Sequence, residues 1–170
     1  MKGINQWLLI LVLSILILPN QLNAQQKDRV FKPNHLNLEL GGNGLIYSLN
    51  YERLLSESFT LRGGIGVTPG LILVEGTFFH IPVTVSYLAG GERSKFEIGL
   101  GATYFGGTDA EIFGLEAGDV SLVFVTGIIG YRYTSSTGFV FRIFFSPLYS
   151  SDTDPNLITS GGLSFGFTFK

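Results

Sequence analysis

The chain has 170 residues, of which 45% are apolar and 14% are charged, and its formal net charge is -2. This length suits one domain, and the charged fraction lies well below the roughly 25% of a typical soluble domain. The small net charge gives no electrostatic reason to expect a nucleic-acid partner. The absence of cysteine excludes disulfides, thiolate metal sites, a cysteine nucleophile and lipid attachment through an N-terminal cysteine.

The first 24 residues have the three-part pattern of a cleavable export signal. Lys2 supplies the positive start, the segment Trp7–Leu18 is apolar, and Leu22-Asn23-Ala24 offers a cleavage site before Gln25. The apolar segment is too short to cross a bilayer as a helix, which needs roughly 20 residues. We therefore expect residues 1–24 to be a signal peptide.

After a polar segment at 25–34, which we interpret as a flexible periplasmic lead, large apolar residues alternate with small or polar ones. The last segment, 163–170, shows this best, because its leucine and three phenylalanines share one face of an extended strand. The opposite face is too small to fill a soluble core, whereas lipid can cover the large face and a narrow polar lumen can take the other. Residues 35–170 are therefore predicted to form an all-β, eight-stranded antiparallel transmembrane β-barrel. The predicted strands lie near 35–42, 45–52, 59–67, 78–88, 96–104, 120–133, 139–146 and 163–170.

Three places in this pattern carry specific expectations. The glycines around Asn43, at 41–44, predict a tight hairpin, after which Leu45 begins the lipid-facing side of the second strand. Pro82 lacks a ladder donor and predicts a bulge or weak pairing in the fourth strand. The sixth strand is apolar on both sides, and we assign Val123, together with the residues in phase with it, to the lipid face.

The connections alternate in length, as in barrels with short periplasmic turns and long outer loops. Only the first hairpin departs from this alternation. Aromatic residues collect where the strands meet the short turns, which is typical of an interfacial girdle. The predicted girdle is Tyr51, Phe59, Tyr87, Phe96, Tyr131, Tyr133, Phe139 and Phe169. The predicted short connections are 54–58, 89–94 and 134–138, and the long ones are 68–77, 106–119 and 149–158.

Several stretches together resemble small outer-membrane β-barrel proteins of the OmpA/OmpX-like type, in the versions common in Bacteroidota. They are IPVTVSYL at 81–88, KFEIGLGATY at 95–104, GYRY at 130–133, GFVFRIFFSPLY at 138–149 and GGLSFGFTF at 161–169.

The resemblance implies an outer-membrane location in contact with lipid and lipopolysaccharide, and recognition of the C-terminal strand by the β-barrel assembly machinery. The terminal Lys170 departs from the usual terminal aromatic, and Phe169 would serve one position earlier. Such barrels serve as anchors, adhesins, envelope stabilisers and occasional lipid-modifying enzymes, so the resemblance implies no single activity.

The charged residues within the predicted strands all fall on the face opposite the large apolar side chains. Three are acidic and three are arginines, which predicts an ion-pair network across a filled lumen rather than a channel, because burying an unpaired charge is costly. The predicted network is Glu39, Glu52, Arg62, Glu97, Arg132 and Arg142, and the other predicted polar lumen residues are His80, Thr84 and Ser86.

Two candidate sites remain. His80 and Ser86 could form an acyl-transfer pair, but six residues of one strand separate them by about 20 Å, so we predict no catalytic residues. The acidic loop at 106–119 offers an interaction surface through Asp109, Glu111, Phe113 and Glu116. No pattern predicts a metal or cofactor site. The alternatives to a non-enzymatic surface or envelope protein are a lipid-modifying enzyme and a secreted lipocalin-like binder of a small apolar ligand.

Overall fold

The structure is a computed structural model that describes residues 32–68, 77–108, 111–112, 115–116 and 120–170. The predicted signal peptide and most of the predicted lead lie outside these residues. Within them, no helix has the length and apolar character needed to cross a membrane. The strands are β1 (Asn34–Gly41), β2 (Tyr47–Leu54), β3 (Phe59–Thr68), β4 (Thr77–Gly90), β5 (Ser94–Thr108), β6 (Glu111–Ile112), β7 (Leu115–Glu116), β8 (Val120–Thr134), β9 (Phe139–Tyr149) and β10 (Leu157–Phe169).

Eight of these strands close into a barrel in the order β1-β10-β9-β8-β5-β4-β3-β2, and every neighbouring pair is antiparallel. The first and last strands pair along the whole of β1, from Asn34 opposite Phe169 to Gly41 opposite Gly162. The two short strands β6 and β7 pair with each other in the long connection between β5 and β8. The predicted eight-stranded antiparallel barrel is therefore confirmed.

The side chains alternate between the outside and the lumen with the predicted phase. Along β10 the phenylalanines at 165, 167 and 169 are exposed, whereas Ser164 and Gly166 are buried. In β8 the predicted phase is also confirmed, because Val123 is half exposed while Phe124 is buried. The barrel thus has an apolar outside and a polar inside, which is the reverse of a lipocalin-like soluble binder with an apolar ligand inside.

Two prolines interrupt the hydrogen-bonded ladders. In the β3–β4 pair, Gly63 opposes Val83 and Gly66 opposes His80, with no pairing in the interval that contains Pro82. The register is unchanged across this interval, so the predicted weak pairing is present and the alternative of a bulge is wrong. A second interruption, in the β8–β9 pair, contains Pro147. Both follow from the missing N–H of proline.

The first connection is not the tight hairpin that its glycines predict. It forms a short 3₁₀ turn, Gly42–Gly44, whose residues are all buried. The backbone N–H of Asn43 donates to Glu39 Oε1 (3.3 Å), and the Asn43 side chain accepts a hydrogen bond from Ser146 Oγ. These contacts hold the connection inside the barrel mouth, which a local turn pattern cannot predict.

Apolar side chains occupy both ends of the lumen. At the end with the first connection, a cluster of Phe105, Phe124 and Leu148 is buried, and Leu45 packs against it. The prediction that Leu45 faces lipid is therefore wrong, because its backbone turns with a positive φ of 65° after the 3₁₀ turn. At the end with the short turns, Leu88 and Val140 are buried. The charged part of the lumen lies between these apolar ends.

Candidate functional site: the charged lumen

Each of the six predicted network residues lies on a different strand, and its side chain points into the lumen. The alternation of β1, β2, β3, β5, β8 and β9 brings one charged residue from each strand to the inside. All six are almost completely buried, with no more than 2% of each residue exposed. They are Glu39, Glu52, Arg62, Glu97, Arg132 and Arg142.

The pairs form one continuous chain of alternating charge. Arg62 Nη1 donates to Glu39 Oε2 at 2.9 Å, and the same carboxylate oxygen lies 3.8 Å from Arg142 Nη1. Arg142 donates two hydrogen bonds to Glu97, from Nε to Oε2 and from Nη2 to Oε1, both 2.9 Å long. Glu97 Oε2 also accepts from Arg132 Nη2 at 3.1 Å. Glu97 is therefore held between two arginines.

The chain ends at a histidine near the short turns. Arg132 binds both carboxylate oxygens of Glu52, and the contact from Nη2 to Oε2 measures 2.7 Å. Glu52 Oε1 also lies 3.1 Å from His35 Nδ1. Paired and bidentate contacts of this kind are the geometry in which buried charges offset their desolvation.

A phenylalanine is packed into this network. The ring of Phe144 lies beneath the guanidinium groups of Arg142, 4.8 Å from ring centre to Cζ, and Arg62, at 5.8 Å. Gly130 and Gly162 oppose Phe144 on the two neighbouring strands, and a Cβ at either position would overlap the Phe144 side chain. Glycine on both flanks therefore makes room for a large inward ring, which stacks on the cations.

The three predicted polar lumen residues are all buried, but they do not gather into one site. Thr84 joins the network by accepting a hydrogen bond from Arg62 Nε at 3.2 Å. The ring of His80 lies against Phe105, 5.5 Å between ring centres, nearer the opposite end of β4. Ser86 lies opposite Gly99 on β5. The structure thus keeps His80 and Ser86 apart along one strand, and this pair has no geometry for proton transfer.

The predicted girdle lies on the outside of the barrel at the end with the short turns. Six of its residues are exposed, and Tyr133 and Phe139 are half-buried. Rings meet across strands in the pairs Phe59–Tyr87 and Tyr51–Phe169, with centres 5.2 and 6.4 Å apart. The Tyr51 hydroxyl donates to Asn34 Oδ1 at 2.7 Å. An apolar ring with its polar tip turned toward the barrel edge is typical of side chains at a membrane interface.

The four predicted interaction residues of the acidic loop are only partly covered by the described residues. Asp109 and Phe113 lie outside the described residues, and only the backbone pairing of Glu111 with Glu116 is described. In the described ranges, no group of three or more acidic or histidine side chains is arranged to hold a metal ion. The loop therefore stays a prediction.

Sequence reasoning missed Asn43 and Phe144 as lumen residues. Asn43 had no signal, since its position depends on contacts with other strands. Phe144 had one, because strands β8 and β10 place glycine opposite it on both sides. That signal can be read only after the strand order is assumed.

No protein-family model matches the chain, and no curated protein matches it. Several solved structures are similar to it, including the two described next. The N-terminal β-barrel domain of OprF from Pseudomonas aeruginosa has a TM-score of 0.65 at 14% identity, with 81% of this chain and 98% of that chain covered. The outer-membrane protein Ail of Yersinia pestis, in a phospholipid bilayer nanodisc, has a TM-score of 0.51 at 16% identity, with 82% of this chain and all of that chain covered.

These likenesses concern the fold alone. The chain is an eight-stranded antiparallel β-barrel of the outer-membrane type.

Proposed function

We propose that the protein is a non-enzymatic barrel of the outer membrane that acts as an envelope structural or surface-interaction protein through its outer loops. The observation that carries this proposal is the filled lumen. Charged side chains that are paired across the barrel occupy its middle, and apolar side chains occupy both of its ends. A barrel of eight strands has an interior just wide enough for side chains to fill, so the loops are the parts left to meet other molecules.

The filled lumen predicts a barrel that does not conduct ions. The purified mature protein, inserted into planar bilayers, should give no stable single-channel currents. The variant Phe144→Ala, with its flanking glycines retained, removes the large ring from the charged part of the lumen and shows whether this side chain is part of the barrier to ions. Stable, large currents from the wild type would contradict the proposal and favour a porin.

The proposed location follows from the export signal together with the barrel faces. We propose cleavage near Gln25 and contact of the exposed aromatic girdle with lipid, while the C-terminal strand is recognised by the β-barrel assembly machinery. Mass spectrometry of the outer-membrane fraction should find a terminus near Gln25. An intact Met1 terminus in the inner membrane would contradict this location. The finer resemblance to barrels of Bacteroidota stays a prediction.

The role of the loops is tested by deletion. Removal of residues 110–118 should leave folding and membrane insertion intact, because the barrel ladders lie outside this segment. A lost adhesion or envelope phenotype would support a loop-borne function. A matched deletion in the 150–156 connection shows whether the effect is specific to one loop. Retention of every phenotype by both deletions would argue against function through these loops.

A further inference from the structure

The charged residues outside the lumen are distributed unequally between the two ends of the barrel. At the end with the short turns, the described basic residues outnumber the acidic ones, Glu57 and Glu92. The connections at the other end, at 69–76, 109–119 and 150–156, contain acidic residues and no lysine or arginine. The basic residues of the first end are Lys32, Arg53, Arg93, Lys95 and Lys170.

Arg53 differs from the other charged residues of the barrel strands. It is the only one, within the described barrel strands, whose side chain is exposed on the outside, where it follows Leu49 and Tyr51 on the same face of β2. In the described part of the chain it makes no ion pair and no side-chain hydrogen bond. An arginine on the lipid face costs about 2–4 kcal/mol at the bilayer midplane but little near the interface.

The neighbours of Arg53 define a small outward patch. Asn34 on β1 opposes Arg53 on β2 and Phe169 on β10, so the three residues lie in one row across three strands. The Asn34 side chain accepts a hydrogen bond from the Tyr51 hydroxyl at 2.7 Å, and the rings of Tyr51 and Phe169 lie 6.4 Å apart. An exposed arginine thus stands one strand away from Asn34, whose amide can donate, and on the same face of β2 as the ring of Tyr51.

We propose that this patch, Arg53 with Asn34 and Tyr51, binds the phosphate of an anionic phospholipid headgroup in the leaflet that faces the short turns. The guanidinium presents several donors in a planar fork that matches phosphate oxygens. The aromatic rings beside it cover the acyl chains below the headgroup. The excess of basic residues along the same rim adds attraction for an anionic lipid over a zwitterionic one. This inference rests on the proposed membrane location of the barrel.

Native mass spectrometry of the full mature chain, titrated with phosphatidylglycerol or phosphatidylcholine, tests the proposal. The wild type should bind phosphatidylglycerol more tightly than phosphatidylcholine, and the preference should weaken at higher ionic strength. Arg53→Gln should weaken the first phosphatidylglycerol site about five-fold, the effect of roughly one basic side chain at an anionic surface. The matched control Arg93→Gln removes the same charge from an exposed turn of the same rim and should change binding less than two-fold.

Equal binding of the two lipids by the wild type, or equal losses in the two variants, would overturn the proposal. A second measurement uses the wild type alone, so it does not depend on whether a variant folds. Phosphatidylglycerol with a photoreactive headgroup should crosslink the wild type at peptides that contain residues 33–34 or 51–54, and crosslinks confined to other peptides would also overturn it. A barrel that inserts and stays silent in planar bilayers but fails these tests would refute the lipid site alone, whereas a conducting barrel would refute only the proposed function.

Discussion

Replacement of Arg142 by alanine should be among the most destabilising single changes in the lumen. The substitution removes the two 2.9 Å hydrogen bonds to Glu97, the longer 3.8 Å contact with Glu39 and the cation–π contact with Phe144. Hydrogen bonds to charged groups contribute about 1.5–3 kcal/mol each, and breaking a buried pair costs about 3–5 kcal/mol. Glu97 keeps Arg132 as a partner, so we expect a loss of about 3–4 kcal/mol.

A double variant tests whether the loss comes from unbalanced charge. Glu97→Gln alone deprives Arg142 of its nearest carboxylate and should also destabilise. In Arg142→Ala with Glu97→Gln, the pairs Glu39–Arg62 and Glu52–Arg132 remain intact and the lumen keeps equal numbers of acids and arginines. The double variant should therefore lose less than the sum of the single losses, by about 0.5–3 kcal/mol.

The free energy of unfolding can be measured by urea titration in phospholipid vesicles. The only tryptophan, Trp7, lies in the predicted signal peptide, so far-ultraviolet circular dichroism and electrophoretic mobility are the suitable signals for the mature chain. Arg93→Ala, in an exposed turn, is the control and should change stability by no more than about 0.5 kcal/mol. A loss below about 1 kcal/mol for Arg142→Ala, or strictly additive losses in the double variant, would refute the reasoning.

Two further predictions concern the faces of the barrel. Leu100 points outward and is 66% exposed, so Leu100→Arg should lower the free energy of unfolding by about 2–4 kcal/mol in the same titration. Ser136→Arg, in an exposed turn, should lower it little. Equal losses in the two variants would reject lipid contact at Leu100. Gly66→Ala should destabilise by about 1–3 kcal/mol because its Cβ would overlap the His80 ring. Gly63→Ala, with open space around its Cβ, should be neutral in the same titration. A larger loss for Gly63→Ala than for Gly66→Ala would contradict the assignment of Gly66 to the lumen face of β3.

The sequence predicts the barrel well because a strand with one face toward lipid and one toward the lumen must alternate large apolar residues with small or polar ones, and this two-residue period is visible in the sequence. In β10, from Leu163 to Phe169, every second residue is large and apolar, and one phase alone satisfies both lipid and lumen. In β8 both faces are apolar, so the sequence defines the phase less well there, and the inward position of Arg132 supports it because a charge on the lipid face would be costly.

The sequence predicts that the lumen charges form ion pairs, but it does not predict which residues pair with which. Balanced charges on the inward face indicate pairing, but the partners depend on which strands are neighbours and on their stagger. Glu52 and Arg132, for example, are 80 residues apart in the chain. The inward fold of the first connection is less predictable still, since Asn43 is held by Ser146 from a strand near the other end of the chain.

The pairing of the first strand with the last has a consequence for how the molecule is made. β1 and β10 are the first and last of the barrel strands in the sequence, so the ring of strands cannot close before β10 is available. An open sheet would present unpaired backbone at two edges and the six lumen charges on one face, and hydrocarbon can satisfy neither. Insertion into the bilayer and closure of the ring must therefore proceed together, or the open edges must be shielded by another protein until β10 arrives.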